Sequence, residues 1–561
     1  MTDRSGHTKF RHPVAFWLGS LACAVGVVLH LPMYYDARTM GYRMAGMKPD
    51  AAMIAGMALI GVGLLASLYG LIPADANAIQ RRAARILVRP LDDAPVRPQH
   101  IVLLLIMAVA VTIDVMKPVT LSLVAPGMAK EYDLTSPLNP HGHLPVSLLP
   151  LVGIGGTVLG SLLWGWLGDR IGRRASIIFA CQLFVSTSIC GAMPGFTWNL
   201  LMCFLMGIGV GGMLPIAFAL MAETIPARHR GWVMVLIGGD VAGAYVITSW
   251  LAGALTPHYS WRILWLIGLP TGLLLIVLNR WIPESPRYLL ARGHGDAAEE
   301  IMKRFGAQVV PVAPTDDGRA GAGLVDAGLP DTAPGGRRRE SYRMLFGREF
   351  RGASVAITVL AIGVGLVTYG FQLWIPTNLQ HLGFSSVNSD YVVRNAALVG
   401  LPLSFIAAWM YGFWRSKKTI IVLSGFSTVT LLWFAIAGDS LARNHALLTA
   451  LLVLPLAGTS SVVAVVAAYA TEIYPTRIRS RGAGLAAGMT KAGGVLIIAL
   501  VVTSVTPPSI AVTALIGAIP MLAGAVILVW VGPETRARRL EEIVAAEVGE
   551  QEQQPSAAQA R

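Results

Sequence analysis

The sequence predicts an all-α polytopic membrane protein: two six-helix halves, twelve core transmembrane helices in all, plus two extra N-terminal transmembrane helices. Three observations carry that reading. Of 561 residues, 54% are hydrophobic and only 13% charged, with a mean hydropathy of +0.61, whereas soluble chains carry about 25% charged residues. Apolar runs long enough to cross about 30 Å of hydrocarbon recur some fourteen times along the chain. Two charged motifs also return at nearly one offset, as a duplicated unit would require.

In chain order, two spans fall near 13–35 and 51–73. Six follow near 100–125, 145–167, 174–194, 198–222, 231–254 and 260–282, and six more near 351–378, 389–414, 418–437, 444–470, 481–505 and 509–532. The first apolar stretch lacks a small-residue cleavage site and leads into a second span, so it reads as a span rather than a removable leader. The duplication places Glu223-Thr-Ile-Pro226 with Arg230-Gly231 against Glu472-Ile-Tyr-Pro475 with Arg481-Gly482, an offset of 249 (472 minus 223). Pro283-Glu284-Ser285 returns as Pro533-Glu534-Thr535, an offset of 250 (533 minus 283). The chain thus divides into an N-terminal extension (1–99), a six-helix half (100–282), a cytoplasmic central loop (283–350), a second six-helix half (351–532) and a cytoplasmic tail (533–561).

The net charge of +13 does not point to nucleic acid, because the basic residues sit in short runs between apolar spans. There they act as orientation signals: Arg81, Arg82, Arg85 and Arg89, then Arg170, Arg173 and Arg174, then Arg228 and Arg230 mark the cytoplasmic side. Both termini then lie inside, which requires an even number of spans. Residues 307–336 of the central loop, rich in Ala, Gly, Pro and Asp, read as flexible, and 296–305 as an amphipathic surface helix. The cysteines (Cys23, Cys181, Cys190, Cys203) lie inside apolar spans and read as small buried hydrophobes. No metal-spaced His/Cys cluster occurs, His141 and His143 read as solvated, and neither a cofactor nor an enzymatic activity is expected. Gly207-Ile-Gly-Val-Gly211-Gly212 lies inside an apolar span and serves close helix packing rather than nucleotide binding.

Gly165-Trp-Leu-Gly168-Asp169-Arg170-Ile-Gly172-Arg173-Arg174, between the second and third core spans, resembles the signature loop of the major facilitator superfamily. The Glu-x-x-Pro…Arg-Gly pair and Pro283-Glu284-Ser-Pro-Arg287 resemble the sugar-porter and metabolite (aromatic acid):proton symporter branch, over roughly residues 100 to 535. The resemblance implies alternating access, with Glu223, Arg230, Glu284, Arg287, Glu472, Arg479 and Arg481 in a salt-bridge network that closes the cytoplasmic side. Physical chemistry supports a gate at the signature loop: its glycines permit a tight turn, and Asp169, Arg170, Arg173 and Arg174 can contact helix ends and the opposite half. The same arginines also serve as orientation markers. The second-half counterpart, Gly412-Phe-Trp-Arg415-Ser-Lys417-Lys418, keeps positive charge but lacks the acid.

Ionisable residues at membrane depth are candidates for function. Asp114 lies mid-way along the first core helix and resembles the proton-coupling position of proton symporters; Lys117 follows one turn later and is a candidate for binding substrate. Two readings stand: a proton carrier whose affinity responds to burial and nearby charge, or a structural Asp114–Lys117 pair at i, i+3 spacing. Asp240, in the fifth core helix, is a second proton candidate. Lys491, in the eleventh, resembles the basic residue of aromatic-acid symporters and organic-anion transporters; it either attracts a substrate carboxylate or neutralises Asp114 or Asp240. Tyr369, Gln372, Trp374 and Asn378 of the seventh helix line the substrate path by resemblance, with interfacial anchoring as the alternative for the aromatic ones. Sugar porters carry an arginine where this chain has Cys203, which weighs against a sugar. The expected function is proton symport of a small organic anion, a carboxylic or aromatic acid, by a monomer in a bacterial inner membrane. The partners are that small-molecule substrate, protons and the lipid bilayer, not nucleic acid; the alternatives are a sugar or polyol symporter, a drug exporter and a non-transporting membrane sensor.

Overall fold

A computed structural model describes residues 12–72, 91–136, 139–292, 294–307, 342–348, 350–370, 385–442, 445–475, 478–504 and 510–535. Arg81, Arg82, Arg85, Arg89, Gln372, Trp374, Asn378 and most of the central loop and tail lie outside them. In chain order, α1 (Pro13–Val28) and α2 (Ala51–Leu71) form a leading pair. The first half comprises α3 (Pro98–Glu131), α4 (Leu148–Ile171), α5 (Arg173–Thr187), α6 (Phe196–Thr224), the broken fifth span α7 and α8 (Ala227–Gly238 and Val241–Tyr259) and α9 (Gly268–Leu278). The short α10 (Gly295–Arg304) follows in the central connection. The second half comprises α11 (Arg351–Gly370), α12 (Ser386–Trp409), α13 (Ser416–Ala442), α14 (His445–Glu472), α15 (Arg479–Ser504) and α16 (Ile510–Val531).

Twelve helical runs among the described residues are long and apolar enough to cross a bilayer: two before residue 72, six between Pro98 and Trp281, and four between Arg351 and Leu500. Helices α13 and α16 complete the second half. Large apolar side chains such as Leu105, Leu201, Trp250, Phe405 and Ile519 remain exposed on the outside of the bundle. On a protein in water such a belt would be a liability; against lipid tails it costs nothing. Without a hydrophobic drive between helices, packing depends on small residues and buried hydrogen bonds.

The leading pair shows both devices. The α1 and α2 backbones touch at Gly19, Gly26, Gly56 and Gly63, and Asp50 caps α2 by accepting the Met53 N–H at 2.7 Å. Both helices pack on α5, whose apolar window is buried along its whole length. Gln182 of α5 donates to Ser67 Oγ of α2 at 2.7 Å, so a polar side chain that lipid would leave unsatisfied is paired instead. At the end of the bundle away from the signature loop, the Met44 and Ala45 N–H groups donate to Glu131 Oε1 at 2.7 and 3.1 Å. Buried Arg262 meets the same oxygen at 2.6 Å. The surface helix expected over 296–305 forms as α10, burying Ala297, Ala298, Ile301 and Met302, with Asp296 in its first turn and Lys303 and Arg304 in its last, as the helix dipole favours.

Candidate functional site

The charged motifs converge at one end of the bundle. The turn from α4 to α5 passes through Gly172 at φ +101°, and Glu284 Oε2 stands 2.4 Å from where a Cβ would be, so only glycine fits both the backbone and the neighbour. Glu284 accepts the N–H groups of Arg173 and Arg174 at 2.8 and 3.3 Å, satisfying the first turn of α5. Burial pushes the Glu284 carboxyl above its ordinary range, opposed by the Ser285 N–H and the Arg173 guanidinium. Glu534 does the equivalent in the second half, accepting the Ser416 N–H at the start of α13 at 2.9 Å. The repeated Pro-Glu is thus a helix cap in both halves.

Around these caps, acids of one half meet arginines of the other. Glu223 of α6 receives Arg173 at 3.0 Å and Arg479 of α15 at 3.1 Å on one carboxylate oxygen. Asp169 lies 3.3 Å from Arg173 and 3.4 Å from Arg481. In the reverse sense, Arg230 of α7 reaches Glu472 of α14 at 3.7 Å, and Tyr411 donates to Glu472 at 2.8 Å. These side chains are buried, where removing one partner of an ion pair costs about 3–5 kcal/mol. Arg170 and Arg174 stand at the margin: Arg170 lies over the Trp166 ring, and Arg174 Nε donates to the Asn279 carbonyl at 3.4 Å. The sequence reading missed three members. Asp92, just before α3, holds Arg230 at 3.3 Å and Arg287 at 2.9 Å; two adjacent acids in a loop carry no motif. Tyr342, at the end of the central connection, donates to the Leu162 carbonyl at 2.5 Å, and Tyr411 sits in a motif counterpart too degenerate to flag it.

The halves also meet along a seam of α4 and α15. A Cβ on Gly165 would stand 2.8 Å from the Ser480 carbonyl oxygen, and one on Gly484 2.6 Å from that of Ser161. Gly168 faces the Ser480 side chain. These backbone contacts and the cross-half ion pairs can exist only while this end is closed.

Half-way along the bundle, the second charge set is sparser. Asp114 of α3 and Lys491 of α15 are buried, one on each half, and each lies within electrostatic reach of the other. Asp114 Oδ1 has no hydrogen-bond partner among the described residues, while the Lys491 ammonium donates to Ser161 Oγ of α4 at 3.2 Å. Asp114 and Lys117 form no ion pair among the described residues; the Lys117 ammonium lies instead against Gly268, inside the first half. Asp240 occupies the break between α7 and α8 and accepts a hydrogen bond from Thr112 of α3. Tyr369 of α11 lays its ring on Gly494 of α15, within electrostatic reach of Asp114. Cys203 is buried in α6, a free thiol like the other three cysteines.

Known proteins resemble this chain in sequence and in fold. The chain is 28% identical over 464 residues to the niacin transporter NiaP of Acinetobacter baylyi, covering 82% of this chain and 99% of that one. It is 23% identical to the 4-hydroxybenzoate transporter PcaK of the same organism, covering 72% and 85%. Its fold matches the proton:xylose symporter XylE bound to 6-bromo-6-deoxy-D-glucose with a TM-score of 0.64, at 17% identity over 80% of this chain and 98% of that one. The family model described as Major Facilitator Superfamily matches residues 102–497, and the chain belongs to that superfamily of membrane transporters.

Proposed function

We propose that this transporter carries a small organic anion, a carboxylic acid of aromatic type, in symport with protons. The work is done by a monomer in a bacterial inner membrane, with the basic motif end and both termini on the cytoplasmic side. The observation that carries the reading is the pair Asp114 and Lys491: opposite buried charges on the two halves, with an oxygen of Asp114 that has no hydrogen bond among the described residues. A fixed cation on one half attracts a carboxylate, and an acid on the other binds and releases a proton as access alternates. Asp240 serves as a second proton site, and Tyr369 flanks the anion. The names of the niacin and 4-hydroxybenzoate transporters among the relatives support an acidic aromatic solute. The concentration of Lys and Arg at the motif end supports the orientation.

Proteoliposome uptake tests this. Labelled nicotinate or 4-hydroxybenzoate should accumulate under an inward proton gradient. D114N should abolish gradient-driven accumulation while sparing exchange, and K491Q should weaken apparent affinity by about tenfold or more, as losing a charged hydrogen-bond donor implies. Uptake as fast without the gradient would sink the proton coupling, and unchanged affinity in K491Q would sink the anion anchor.

A further inference from the structure

We propose that Ser161 is a positioning residue: it holds the Lys491 ammonium away from Asp114 while the motif end is closed, and gives it up when that end opens. The proposal rests on the reading of Lys491 as the anion anchor. Ser161 is on the first half and Lys491 on the second, so their hydrogen bond of 3.2 Å crosses between the halves inside the membrane. The Ser161 hydroxyl has one proton and two carbonyls to take it, Thr157 O at 2.8 Å and Gly211 O at 2.9 Å. Its lone pairs are therefore left to face the ammonium. A neutral acceptor of this kind satisfies Lys491 without cancelling its charge, which keeps the cation available to a substrate carboxylate. An acid in the same place would neutralise it.

The location links this bond to the gate. Along α15, positions 480, 484, 488 and 491 share one face. Ser480 and Gly484 touch Gly165 and the Ser161 carbonyl, and Gly488 faces Leu162 and the Ser161 Cβ. Lys491 to Ser161 is the next contact toward the middle of the membrane. At 1.5 Å per residue, Ser161 lies about 15 Å from the motif end of α4, Lys491 about 18 Å from that end of α15, and Asp114 about 24 Å from that end of α3. Lys491 thus sits between a serine on the gate side and an acid on the far side. When the seam parts, Ser161 is withdrawn, and closure of the far end favours Asp114. Once Asp114 has passed its proton to water at the open end, its carboxylate takes Lys491 and the substrate anion loses its counter-charge. Release then follows from gate opening by exchange of one partner of Lys491 for another.

Thermal unfolding of the purified full-length chain in detergent tests the tether without any ligand. With Ser161 present, the midpoint shifts of D114N and K491Q should depart from additivity only by the weak through-space attraction of the two charges. In an S161A background the departure should grow, because a direct Asp114–Lys491 pair has formed; an equal departure in both backgrounds overturns the tether. Nicotinate binding gives a second readout. S161A should weaken it by about tenfold, and D114N/S161A should return to the D114N value; a loss that persists in D114N, or no loss at all, also overturns it. If the wild-type chain binds neither nicotinate nor 4-hydroxybenzoate, the substrate reading falls while the unfolding comparison still decides the tether.

Discussion

Glu284 illustrates how a motif residue acts through its backbone contacts. Burial raises its carboxyl above the ordinary range and so disfavours the ionised form relative to the unfolded chain, against the pull of the Arg173 guanidinium. That contribution is fully present below the ordinary carboxylate range and fades as pH rises through the raised value. E284Q, permanently neutral, should keep one of the two capping bonds through its single amide oxygen and flatten this part of the pH dependence of stability. E284A should cost about 1–3 kcal/mol by leaving the Arg173 and Arg174 N–H groups unsatisfied; thermal unfolding across pH separates the two. Asp92 was not legible in the sequence, yet it clasps two motif arginines. D92N should destabilise the closed end by about 3–5 kcal/mol, read as a lower unfolding midpoint than that of the unsubstituted chain. Asp114, Lys491 and Asp240 were legible as charges at membrane depth, because such residues are costly unless used. Their partners, Ser161 and Thr112, were not, because serine and threonine are common in membrane helices and only a contact between helices gives them meaning.

At the scale of elements, spans, loops and the repeat were readable because hydrophobic length and charged motifs are local properties. The α4–α15 seam was half readable. Gly165 and Gly168 belong to a recognisable loop, but Gly484 acquires its role from the Ser161 carbonyl 2.6 Å from its Cβ position. G484V should force the two backbones apart and open the motif end. A cysteine at buried Ser480 should then react with a water-soluble maleimide in S480C/G484V and remain protected in S480C alone; protection in both would show that the seam is not what closes this end. The leading helices make a similar point. Their length and hydropathy were plain, while their docking site was not, although Gln182 inside an apolar run was the available signal for a partner.

For the whole molecule, the decisive relation is the exchange of charges between halves, Arg479 to Glu223 and Arg230 to Glu472. Reversal of either member of the second pair, R230E or E472R, should place like charges together in a buried site and impair closure and transport. The double variant R230E/E472R should recover much of the loss, because it restores opposite charges across the halves; Asp92, beside Arg230, keeps the recovery incomplete. The measurement is uptake together with S480C protection. Equal damage in the single and double variants would mean that the pair does not join the halves.

From the sequence alone came the class of fold, the two related halves, the charged motifs and the charges at membrane depth. Each follows from a local rule: apolar length against bilayer thickness, the cost of a charge in lipid, the turn that a Gly-rich loop requires. The tertiary structure decided which charge meets which. It turned Lys117 into the first half, set Lys491 on Ser161 rather than on Asp114, and brought Asp92 and Tyr342 to the end where the charged motifs meet. Those choices depend on the relative rotation and depth of helices hundreds of residues apart, set by close packing at positions such as Gly165 and Gly484, and no local pattern in the chain encodes them.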